Sequence, residues 1–220
     1  MHLKKYIYKF GNKTFEEFPF GNVDGALFAY LAYPCWEKVA PGIDNIDGKP
    51  FCFDELTPEN IKKLIVGSPT PNQHRKLLTA IIKTKRYRDV KIKFIEEKFS
   101  FEKKQQYYAL TYEIPGLGHY ICFRGTDLTI LGWEENFRLT LKTQNPSQID
   151  AVQYINKVAE KIKGNFYIGG HSKGGNLSIF AGVNISPELQ DRVIKVFSID
   201  GPGFSSKEIY ETESFRLLFE

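Results

Sequence analysis

The chain has 220 residues, enough for one α/β domain with a sizeable core, and its 42% hydrophobic and 25% charged residues are ordinary for a globular protein. Three widely spaced cysteines, Cys35, Cys52 and Cys122, with no C-x-x-C pair, argue against a disulfide framework or a zinc site, and no metal or other cofactor is expected. The net charge of +4 is unevenly placed: residues 60–104 hold 13 Lys/Arg against 4 Asp/Glu, a solvated surface or a patch for an anionic membrane, with no signature that would make nucleic acid an expected partner.

In chain order, Met1 to Phe10 carries lysines but lacks the apolar stretch of a leader. No run approaches the roughly 18 apolar residues of a membrane span, so a cytoplasmic protein is expected. Residues 1–18 read as a loosely tied arm with an edge strand around Tyr6-Ile7-Tyr8. Asn22 caps a helix that runs to about Tyr33, where Pro34 ends it, with Val23, Ala26, Leu27 and Tyr30 as its buried face. Residues 40–54, rich in Pro, Gly, Asp and Asn, read as a loop. Thr57-Pro58-Glu59 then opens a short helix with proline at its first position. A basic helix from Asn72 to about Thr84 turns Leu77, Leu78, Ile81 and Ile82 inward.

The period then changes. Val90, Ile92 and Phe94 alternate with Lys91 and Lys93, the mark of a half-buried strand. Tyr107 to Ile114 and His119 to Phe123 flank Pro115-Gly-Leu-Gly118 as an antiparallel hairpin. Ser147 caps a long helix with an apolar stripe of Ala151, Tyr154, Ile155, Val158, Ala159 and Ile162. A strand at Phe166-Tyr167-Ile168, a helix through Leu177 to Val183 and a strand from Val193 to Ile199 follow in βαβ order. Ser205 and Glu208 form a capping-box pattern for a last helix. With no repeat or linker composition, residues 1–220 read as a single domain: a mainly helical part over 1–88 and a sheet core over 89–220.

The chemistry concentrates at Gly170-His171-Ser172-Lys173-Gly174, which fits G-x-S-x-G between a strand and a helix. A serine on so sharp a turn needs strained backbone angles, and neighbours without Cβ let strand and helix pack close around it. The helix that starts there points its N–H groups at charge developing on a substrate. A phosphate-binding loop would need the order G-K-[ST], the reverse of Ser172-Lys173-Gly174. An ordinary glycine-rich βα turn is the plain alternative.

Upstream, Ile121-Cys-Phe-Arg-Gly-Thr-Asp127 resembles the oxyanion segment of the fungal-type (class 3) triacylglycerol lipases, and Gly170-His-Ser-Lys-Gly-Gly175 resembles their elbow. Asn22-Val-Asp-Gly-Ala-Leu27 and Asp200-Gly-Pro-Gly-Phe204 are closer to an uncharacterised bacterial branch of that α/β-hydrolase superfamily. The resemblance is strongest over residues 119–204. It implies a hydrolase-like sheet, mostly parallel with antiparallel strands at its start, and helices on both faces. It also implies Ser172 as nucleophile, Thr126 as an oxyanion contributor and the backbone N–H of Lys173 as the second donor. His171 matches the family's elbow histidine, which is not the base. Arg124-Gly125-Thr126 also fits a strand ending in a turn, with Arg124 in a structural ion pair.

A serine needs a base, and in this fold the expected order is serine, acid, histidine. No histidine follows Ser172; the four are His2, His74, His119 and His171. His119 is expected at the wrong edge of the sheet, His74 solvated on its basic helix, and His2 at a mobile terminus. A truncated hydrolase whose C-terminal strands are missing is the expected explanation. Asp200, just past the strand that follows the elbow helix, is either an acid that orients a histidine from elsewhere or a turn aspartate bonding its own backbone. Two functions compete. One is a serine esterase or lipase acting on a small-molecule or lipid ester through an acyl-enzyme. The other is a non-catalytic hydrolase-fold module that binds a lipid, cell-wall or protein partner.

Overall fold

The computed structural model describes residues 2–45, 47–102, 105–126, 145–204 and 207–219. A six-stranded sheet in the order β1-β2-β3-β4-β5-β6 forms its centre. The strands are β1 (Phe51–Cys52), β2 (Lys91–Ser100), β3 (Gln105–Ile114), β4 (Gly118–Phe123), β5 (Phe166–His171) and β6 (Val193–Ile199). Pairing is antiparallel from β1 to β4 and parallel from β4 to β6. The expected mostly parallel sheet is therefore corrected to a mixed one. Short connections join β2 to β3 and β3 to β4, α3 and α4 lie between β1 and β2, and the later parallel strands are joined by helical crossovers.

Helices cover both faces. On one side lie α1 (Leu3–Phe10), α2 (Asn22–Tyr30), α3 (Pro58–Leu64) and α4 (Pro71–Ile81); on the other, α5 (Pro146–Lys161) and α6 (Lys173–Asn184). The two-residue period of β3 serves both. Tyr108, Leu110, Tyr112 and Ile114 join the N-terminal helices in one core, while Tyr107 and Ala109 join α5 and α6 in the other. The stripe Ala151, Tyr154, Ile155, Val158, Ala159 and Ile162 is buried as its spacing predicts.

Local signals explain most boundaries. The Thr57 hydroxyl accepts the Asn60 N–H at 3.1 Å at the start of α3, and Pro58 occupies the first helical position. At α5 the cap is Asn145 rather than Ser147: its side chain accepts the Ser147 N–H at 2.9 Å, and Gln148 reaches back to the Asn145 N–H at 2.9 Å. Ser205 lies outside the described residues; after it come short helices at Lys207–Tyr210 and Glu213–Phe219.

The N-terminal arm is corrected. Residues 3–10 form a helix, because Leu3, Tyr6, Ile7 and Phe10 fall at i, i+3, i+4 and i+7 on one face. That face buries Tyr6 and Ile7 and stacks Phe10 on Phe18 at 4.4 Å. The next helix stops at Tyr30, and its buried residues are Asp24, Gly25, Leu27, Phe28 and Ala29. Its cap is Gly21, whose N–H is taken by Asp24 at 3.0 Å. No helix among the described residues is long and apolar enough to cross a membrane.

Candidate functional site

Strand β5 and helix α6 meet at Ser172, whose backbone sits at φ +55°, ψ −125°. An L-residue there stores about 1–3 kcal/mol of strain. Neighbouring hydrogen bonds hold it: the Ser172 N–H donates to the Ile199 carbonyl at 2.8 Å, and its carbonyl accepts from Gly175 at 2.8 Å and Asn176 at 3.3 Å. The flanking glycines are required by space. A Cβ on Gly170 would lie 2.4 Å from the Gly174 carbonyl carbon, and one on Gly174 would lie 2.0 Å from the Phe123 oxygen. The bend therefore packs directly on the end of β4. Among the described residues the Ser172 hydroxyl, half-buried, has no hydrogen-bond partner.

The loop after β4 meets the same bend. A Cβ on Gly125 would lie 2.5 Å from the His171 carbonyl oxygen and 2.1 Å from the Tyr33 hydroxyl. Next to it, the buried Thr126 Oγ1 has no hydrogen-bond partner among the described residues. A buried hydroxyl left so costs about 1–3 kcal/mol. Arg124 takes the structural role weighed for it: its guanidinium lies 3.9 Å from the centre of the Tyr108 ring and 3.4 Å from Glu97.

Lys173 is the first residue of α6, and the N–H groups of a helix's first turn project from its N-terminal end. Its side chain is buried, and the ammonium is bonded to the Gln106 carbonyl on β3. Asp200 directly follows β6, also with a left-handed φ, +52°. The parallel pairing of His171 with Ile199 sets Asp200 beside Ser172. It is exposed, and its carboxylate accepts no hydrogen bond from the described residues, so the turn-bonding alternative has no counterpart there.

All four histidines are described, and none bonds to Ser172. His171 Nδ1 is hydrogen-bonded to the Tyr33 hydroxyl at 2.8 Å. Burial lowers its pKa, against the opposing pull of Asp200, while burial raises that of Tyr33 well above the usual phenol range. His119 stands at the start of β4, opposite Phe166, at the far edge from Ser172. Burial, with Lys93 next, lowers its pKa, and its buried Nδ1 has no partner among the described residues. His2 is exposed ahead of α1.

His74 is the correction. It is fully buried rather than solvated, with Nδ1 2.5 Å from the Ser68 hydroxyl and Nε2 3.1 Å from the Tyr30 carbonyl oxygen. Burial pushes its pKa down to about 4. Its ring lies 4.4 Å from that of Tyr30 at a tilt of 30°, and the Tyr30 and His171 rings meet edge to face at 6.4 Å, so an aromatic wall backs the elbow histidine.

Two polar residues were not among the expected ones. Asn176, fully buried in the first turn of α6, donates to the Pro202 carbonyl at 3.0 Å and accepts from Gln148 at 2.9 Å. Together they tie the loop after β6 and the start of α5 to the elbow helix. The Asn145-x-x-Gln148 spacing was a readable capping signal; Asn176 carried none beyond its place after Gly174-Gly175. Among the described residues no group of three or more His, Cys, Asp or Glu could hold a metal ion.

A family model described as Mbeg1-like matches residues 81–219, the span that contains β2 to β6 and the whole of this bend. No curated protein and no solved structure matches the chain.

Proposed function

The chain belongs to the Mbeg1-like family, and from that premise and the elbow geometry we propose that it is a serine hydrolase of the lipase or esterase type. The observation that carries the reading is the left-handed backbone of Ser172, held between β5 and α6 by contacts that only glycine allows at 170 and 174. Such strain is retained where it aims a side chain that packing alone would not place.

In this reading Ser172 Oγ attacks the carbonyl carbon of a carboxylic ester and gives up its proton. The backbone N–H of Lys173 and the Thr126 hydroxyl donate to the resulting oxyanion. The alcohol leaves with a proton, and water then hydrolyses the acyl-serine to acid and free enzyme. Thr126 suits the donor role because its buried hydroxyl has no other partner among the described residues. The proton acceptor is the open role, since none of the four histidines bonds to Ser172; in this reading Asp200, which follows the His171–Ile199 pair in register, orients a histidine supplied from elsewhere.

A fluorophosphonate probe tests the reading. Labelling of the full-length protein, lost in Ser172→Ala, is the expected outcome. The missing base favours a second reading, a non-catalytic module built on the same bend. A folded protein that never labels would establish that alternative and end the first.

A further inference from the structure

The basic stretch 60–104 is not one surface. Arg86 is buried against Asp24, Lys91 and Lys93 pair with Glu113, and Lys98 pairs with Asp150 and Glu96. Arg75, Lys76 and Lys83 make no ion pair among the described residues; they are exposed on and just beyond α4. There they meet Lys4 and Lys5 of α1, also exposed and without an ion pair among the described residues. This gathering of cations is tertiary: α1 lies about seventy residues away in sequence and packs against α4 in space.

Two adjoining clefts mark the seam between these helices. One, of about 470 Å³, has Leu3, Tyr30 and Leu77 among its walls, with Lys4, Lys5 and Lys76 around them. The other, of about 260 Å³, adds Tyr8, Arg75 and Lys83. Among the described residues no carboxylate lines either cleft, and neither α1 nor α4 has an acidic residue in its first turn. Tyr8 stands 65% exposed, with the Lys4 ammonium 5.4 Å from its ring centre.

We propose that the α1–α4 face docks on an anionic lipid bilayer, with headgroup phosphates seated at the lysine-lined clefts and Tyr8 at the headgroup level. Charge complementarity commits the face to an anionic partner, because Lys4, Lys5, Arg75, Lys76 and Lys83 share it with no neutralising carboxylate among the described residues. A lipid surface is favoured over nucleic acid by the apolar walls of the larger cleft and by the exposed tyrosine. Lysine and tyrosine together are the composition of a water–bilayer boundary. The inference goes beyond the chemistry proposed at Ser172 and does not depend on it.

Vesicle co-sedimentation of the full chain tests it, with phosphatidylcholine vesicles compared with mixed phosphatidylcholine and phosphatidylglycerol vesicles. Binding is expected to the anionic vesicles, to weaken steeply with salt, and to persist in Ser172→Ala. Lys4→Gln and Lys76→Gln should each weaken partitioning about fivefold. Lys161→Gln with Lys163→Gln, exposed on the opposite side of the sheet, removes two charges, as many as Lys4→Gln and Lys76→Gln combined, and should leave binding unchanged. Equal binding to neutral vesicles, equal loss in the control variant, or binding of duplex DNA with none to vesicles would each overturn the proposal.

Discussion

Two clusters of polar residues in this molecule are built on opposite rules. Around Asp24 every atom is answered. Its Oδ1 accepts from Arg86 Nε at 2.9 Å and Tyr87 at 2.6 Å, and its Oδ2 accepts from Arg86 Nη2 at 2.8 Å, Tyr6 at 2.9 Å and the Gly21 N–H at 3.0 Å. The other guanidinium nitrogen reaches the Phe18 carbonyl at 2.7 Å and the Thr14 carbonyl at 3.1 Å. Burial opposes the Arg86 charge, yet the hydrogen bonds and charge of Asp24 win and raise its pKa. At the elbow the pattern is reversed. Ser172 is strained, and the hydroxyls of Ser172 and Thr126 have no partner among the described residues. The first cluster ties the arm, α2 and the chain after α4 together. The second leaves two hydroxyls without a partner among the described residues beside a strained backbone.

The contrast can be broken or sharpened by measurement. Asp24→Ala strands a buried guanidinium and should cost about 3–5 kcal/mol in urea unfolding; a loss below 1 kcal/mol would mean the pair is not the lock its geometry implies. Thr126→Val should act with the opposite sign on stability. Removing a buried hydroxyl without a partner leaves the fold unchanged or firmer, while ester turnover falls about 10²–10³-fold if Thr126 holds the oxyanion. A variant that loses stability and keeps its turnover would reassign Thr126 to packing.

His74 supplies a pH test away from both clusters. Burial holds its folded-state pKa near 4, below the ordinary 6.5, so between those values the unfolded chain binds the extra proton. Stability present above about pH 6.5 should fall by about 3 kcal/mol as the pH drops to 4. His74→Gln should flatten that slope, and an unaltered slope would place the titration elsewhere. The smallest effect is at the bend itself. Ser172→Gly relieves the left-handed φ and, after glycine's entropic penalty, should stabilise the fold by about 1 kcal/mol while ending any labelling. Destabilisation would remove the argument that strain is stored there.

Much of the frame was legible because it rests on local periods. The strand Val193 to Ile199, the hairpin across Pro115 to Gly118 and the α5 stripe follow from alternation, turn residues and helical spacing. So does the bend at Ser172, where glycine spacing and the strand-to-helix change coincide. The arm at Leu3–Phe10 was misread because a short apolar run suits strand and helix alike, and only packing against α2 and α4 decides. His74 was misplaced because a helix with Arg75 and Lys76 on its outer face gives no sign of what Ser68 and Tyr30 offer its inner one.

The amino-acid order alone determined most strands and helices after residue 57, and which serine stands at the tight bend, because those follow from side chains within a few positions of one another. Tertiary structure decided that Asp24 meets Arg86 across 62 positions, that Gly125 touches the elbow, and that α1 and α4 pool their cations. Such contacts exist only once distant apolar faces have closed on one another. Burial, pairing and local potential depend on those neighbours rather than on the residue itself.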